Sequence, residues 1–81
     1  MSDNDFYKTK DLGIASMLVA LGCGYLGIDW ESNVAYFKFK GHDECNTHAN
    51  LFLFGKIKVD AKSYFIAIRN LKRTIAEHNK L

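Results

Sequence analysis

Proline is absent from the chain, so there is no proline-rich spacer at which 81 residues could be divided, and we expect one domain. Cysteine is scarce. Cys23 and Cys45 are too few for a disulfide framework, and no charged segment followed by an apolar stretch and a small-residue cleavage site opens the chain, so a reducing compartment is expected. Charge of one sign is also lacking: 11 Lys and Arg against 9 Asp and Glu leave a formal +2, far from the polycationic balance that by itself implies nucleic acid. No apolar run is long enough for a membrane. Leu12 to Ile28 is uncharged, but it carries Gly13, Ser16, Gly22, Gly24 and Gly27 and falls short of the roughly 18 to 20 apolar residues of a span. It reads as a buried helix and a strand. What remains is 48% hydrophobic and 14% aromatic, the profile of a packed chain near the lower size limit for a core without disulfides or metal.

The residues fall into a succession of short elements. Residues 1–8 (MSDNDFYK) are polar apart from Phe6 and Tyr7 and read as an N-terminal arm, after which Thr9 is placed to cap a helix whose first turn holds Asp11. Leu12, Ala15, Leu18 and Val19 recur at helical spacing, Ile14, Met17 and Leu21 add apolar faces, and Gly22 ends the helix. Residues 25–30 and 34–40 are rich in aromatic and β-branched residues and predict a hairpin through Glu31-Ser32-Asn33, with Tyr36, Lys38 and Lys40 on the wetter face. Residues 42–54 fit a helix through Cys45, Ala49 and Phe52, although Leu51-Phe52-Leu53-Phe54 alone would suit a strand; we choose a helix closed by Gly55. Lys56-Ile57-Lys58-Val59 alternates as a short third strand, and Asp60 caps a last helix from Ala61 to about His78. That helix repeats Ala61, Tyr64, Ile68, Leu71 and Ile75 on one stripe, which Phe65 widens, while Ile66 sits off the stripe among Lys62, Arg69, Lys72, Arg73 and Glu77. The predicted architecture is α+β, in the order α-β-β-α-β-α, with helices packed on a small, mainly antiparallel sheet.

Two segments together resemble a known family: Phe6-Tyr7-Lys8-Thr9-Lys10-Asp11-Leu12 running to Gly22, and Val59-Asp60-Ala61-Lys62-Ser63-Tyr64-Phe65 running to Ile75. They are similar to a short domain-of-unknown-function family of bacteria and their phages, with an opening F-x-T-x-D-L helix, a β-hairpin and a closing V-D-A amphipathic helix. The resemblance implies that fold outline, and a bacterial cytoplasm or a virion as the setting. It implies no activity.

Several constellations suggest chemistry. His42, Cys45 and His48 form H-x2-C-x2-H, residue types that bind zinc, but positions six apart on a helix diverge by about 120°, and Cys23 or His78 would have to supply a fourth ligand. Two surface histidines flanking a buried cysteine is the favoured reading, so no metal and no cofactor are expected. Cys45 as a nucleophile lacks an orienting third group. Asp43 and Glu44 point apart, Asp11 and Asp60 are explained by helix starts, and the order G-x-G-x-x-G in GCGYLG follows a helix and precedes a strand, the reverse of a dinucleotide site. We therefore expect no enzyme. The leading expectation is a non-catalytic protein interaction module, an oligomer or a small subunit of a larger assembly, contacting its partner through Phe6, Tyr7, Ile66, Arg69 and Arg73. The alternative is nucleic-acid binding by Tyr36, Lys38, Lys40, Lys56 and Lys58, which would join cations for phosphates to an aromatic for stacking.

Overall fold

A computed structural model describes residues 5–79. In chain order the elements are β1 (Phe6–Thr9), α1 (Leu12–Ala20), β2 (Tyr25–Glu31), β3 (Val34–Lys40), α2 (His42–Leu53) and α3 (Ala61–Asn79). The strands form one antiparallel sheet in the order β1-β3-β2. This is a small α+β domain in which the expected α-β-β-α succession and the closing helix are present.

Two features correct the expected order. Residues 6–8 are not an arm but the start of β1, which pairs with β3 from Phe6 opposite Lys40 to Thr9 opposite Phe37; residues 1–4 of that arm lie outside the described residues. In the other direction, residues 56–59 form no strand. Ile57 and Val59 are half-buried and Lys56 and Lys58 exposed, so the alternation reports an extended chain lying with one side on the core, which does not require a ladder. The central strand, β3, already has both edges filled.

The hairpin turns on Ser32 and Asn33, whose φ values of 52° and 67° are both left-handed, the pattern of the two-residue turn that matches strand twist. Glu31 and Val34 pair directly across it. Asp11 rather than Thr9 caps α1: its backbone is extended and its Oδ1 accepts from the Ile14 amide at 2.9 Å. Thr9 stays in β1 and holds the cap, its hydroxyl accepting from the Asp11 amide at 3.1 Å. Gly22 and Gly55, both at positive φ, close α1 and α2. In each case the residue after the glycine donates back across the last turn, Cys23 to the Leu18 carbonyl at 3.0 Å and Lys56 to that of Leu51 at 2.8 Å. Asp60 caps α3 by accepting from the Ser63 amide and hydroxyl at 2.9 and 2.8 Å, bonds that hold its carboxyl below its usual range.

Helix α1 is the centre of the molecule. Ile14, Ala15, Ser16, Met17 and Leu18 are all buried, because α2, α3 and the inner face of the sheet enclose it. Phe37 and Phe39 of β3 supply the sheet's share of this core, with Cys45 and Ala49 from α2 and Leu71 from α3. Helix α3 turns Tyr64, Ala67, Ile68, Leu71 and Ile75 inward. Phe65, expected to widen this stripe, is 64% exposed, and Ala61 is exposed as well. The stripe widens instead on the side of Ala67, which is 3% exposed. At the far end of α3 the His78 ring stacks on Trp30 of β2, 3.7 Å between centroids and 11° from parallel.

Candidate functional site

The outer face of the sheet carries the lysines of the nucleic-acid reading, and the register decides what they do. Lys8 and Lys38 lie opposite each other on β1 and β3, two like charges that would repel unless neutralised. Strand β2 supplies the carboxylates: Lys8 Nζ is 2.7 Å from Glu31 Oε2 and 3.5 Å from Asp29 Oδ2, and Lys38 Nζ is 3.9 Å from Asp29 Oδ2. The Glu31 hydrogen bond pushes the Lys8 ammonium to a higher pKa. Lys38 also stands 4.3 Å above the Phe6 ring. Lys40 is exposed at the end of β3, whereas Lys56 and Lys58 belong to the α2–α3 connection and not to a neighbouring strand. The five residues Tyr36, Lys38, Lys40, Lys56 and Lys58 therefore do not share one sheet.

The proposed partner residues also divide. Phe6 lies under Lys38 on the outer face. Tyr7 points the other way, packs on the core, and meets the His42 ring at 6.0 Å between centroids. Burial, reinforced by the neighbouring Cys45, pushes its phenol up. Ile66, Arg69 and Arg73 stay on the exposed surface of α3, where Arg73 donates to Asn70 Oδ1 at 2.9 Å.

The largest exposed apolar groups are ones that sequence reasoning did not single out as a surface. Phe54 is 77% exposed, Leu53 65% and Phe65 64%. Leu53 ends α2, Phe54 follows it and Phe65 lies in the first turns of α3, and the two helices approach through Phe52 and Tyr64, whose rings are 6.1 Å apart. The signal was present in Leu51-Phe52-Leu53-Phe54: four consecutive apolar residues on a one-faced helix cannot all point inward.

A second concentration of chemistry lies where the α1–β2 turn meets α2. The H-x2-C-x2-H residues do not converge. His42 turns to Asp43, its Nδ1 3.1 Å from Oδ1, while Cys45 is fully buried with its thiol donating to the Lys40 carbonyl at 3.6 Å. His78, the other candidate ligand, is on Trp30. A different set gathers: Cys23, Glu44 and His48 place one donor atom each within 4.8 Å of one another. Glu44 and His48 are one helical turn apart on the same face of α2, and the closing hydrogen bonds of α1 fix Cys23 beside them. Burial pushes the Cys23 thiol up; a hydrogen bond with the Cys45 thiol works against this, and the Glu44 charge adds to it. The Nδ1 of His48 is buried and finds no hydrogen-bond partner among the described residues.

Among the described residues no helix is long and apolar enough to cross a membrane. No protein-family model, no curated protein and no solved structure matches the chain.

Proposed function

We propose that the chain is a non-catalytic protein interaction module that self-associates through the apolar end of α2 and the start of α3. The observation that carries this reading is the exposure of Phe54, Leu53 and Phe65, three large apolar side chains each more than six-tenths open at the end of α2 and the start of α3. Side chains of this size gain about 1.5–3 kcal/mol each on full burial. A two-fold contact places the same three groups on both sides, for a gross gain on the order of 10 kcal/mol. Association costs about 4–15 kcal/mol in rigid-body freedom, so with the cost at the low end the net is a weak dimer, of roughly tens of micromolar to millimolar. The exposed Ile66, Arg69 and Arg73 on α3 extend this surface with a polar rim.

The ion pairs on the sheet favour this reading over nucleic-acid binding, because Lys8 and Lys38 already face Asp29 and Glu31 and phosphates would have to displace both carboxylates. The test is the solution mass by light scattering across a concentration series. The wild type should rise from monomer toward dimer mass, and the triple variant Leu53→Ser, Phe54→Ser, Phe65→Ser should stay monomeric with its circular dichroism unchanged. A wild type that remains monomeric into the millimolar range would refute the proposal, as would a triple variant that still dimerises.

A further inference from the structure

We propose that Cys23, Glu44 and His48 form a binding site for a divalent ion of the zinc type. This site is independent of the self-association surface. Thiolate sulfur, imidazole nitrogen and carboxylate oxygen are the three donor types that zinc takes from proteins, and here all three come within 4.8 Å of one another. Ligand atoms around tetrahedral zinc, at about 2.0–2.3 Å from the ion, lie on the order of 3.5 Å apart, so the set has to close by roughly 1 Å at most.

Charge and backbone agree with that assignment. One thiolate and one carboxylate balance a divalent cation, with a neutral imidazole as third ligand. The exchange is simple: the ion binds sulfur and the thiol proton leaves to solvent. The buried Nδ1 of His48 is a polar atom with no hydrogen-bond partner among the described residues. Glu44 is exposed, so the site lies at the rim, open to an ion and to a water as fourth ligand. Cys45 neighbours Cys23, with its own S–H turned to the Lys40 carbonyl. An ion here would tie the end of α1 to the first two turns of α2, closing a loop between two elements of a domain with a small core.

The experiment uses the untagged, fully reduced chain freed of metal by chelation. Adding Zn2+ alone should give one-to-one binding in calorimetry, and at a hundredfold excess over Kd it should raise the thermal midpoint by about 10 °C or more. Co2+ should bring in the charge-transfer band of a cobalt–thiolate bond and the ligand-field bands of a four-coordinate site. Glu44→Gln, at an exposed position that the fold does not need, should weaken Zn2+ at least tenfold; Cys23→Ser should abolish the charge-transfer band; His42→Ala should change neither. A wild type with no midpoint shift and no thiolate band overturns the proposal. So does a band that survives Cys23→Ser, or a His42→Ala variant that weakens binding as much as Glu44→Gln.

Discussion

Alkaline pH should weaken this fold, and Cys45 is the reason. Its side chain is completely enclosed, and the thiol is pushed from 9.0 up to about 11, first by burial and then by the neighbouring Cys23 and the charges of Glu44 and Asp5. An unfolded chain loses this proton near pH 9, while the native chain keeps it to about pH 11. Between those values the native state binds more protons than the unfolded state, so stability falls as pH rises. The stabilisation is fully present below pH 9 and is lost progressively through pH 11. A difference of this size between the native and unfolded thiol is worth about 2–3 kcal/mol, a large share of the stability expected of so small a core. Tyr7 and Tyr25 are raised from 10.0 by burial and add a loss of the same sign. Urea unfolding with reductant and chelator present, at pH 7, 8.5, 9.5 and 10.5, measures the effect as a falling midpoint. Cys45→Ala should be less stable at pH 7 by about 1 kcal/mol, since sulfur leaves a small hole, and should lose less on going to pH 10.5, so that the two curves converge. A wild-type midpoint that is level from pH 7 to 10.5, or a variant with the same slope as the wild type, would refute the reasoning.

Two further substitutions probe the local devices that set the fold. Asp11→Ala removes the acceptor of the Ile14 amide and should cost about 1 kcal/mol in chemical denaturation, whereas Asp11→Asn should keep most of the stability. Asn33→Val places a β-branched residue at a φ of 67° and should cost about 1–2 kcal/mol, read as a lower unfolding midpoint with the strand signal in circular dichroism retained.

The elements legible in the sequence are those whose signal is local. The hairpin and α3 show a period long enough to fix the type of element, although Phe65 faces out of the stripe it was expected to widen; in α2, where the sequence also suited a strand, Cys45, Ala49 and Phe52 turn inward together on a helix. Strand β1 is not legible in that way. Phe-Tyr-Lys-Thr alternates over only four residues, and what makes it a strand is the free edge of β3, which no local pattern announces. The same limit separates the two metal readings. His42, Cys45 and His48 are conspicuous by spacing yet diverge, while Glu44 and His48, one turn apart, form half a site whose other half, Cys23, reaches α2 only through the closed end of α1.

How the sheet is finished bears on where a partner can dock. Its outer face is laced by Lys8, Lys38, Asp29 and Glu31, charges that a second apolar surface would have to desolvate. Its two edges are blunted in ways that discourage strand addition. Strand β1 offers only four residues, and β2 breaks its register between Tyr25 and Gly27, where Leu26 bulges out of the ladder. With the inner face filled by helices, the sheet offers a partner neither an apolar face nor a long edge. The most exposed large apolar side chains, Phe54, Leu53 and Phe65, lie at the end of α2 and in the first turns of α3. A contact made there would bury side chains that the fold leaves in water and would disturb none of the ion pairs, which is why the helical end, and not the sheet, is where self-association costs this chain least.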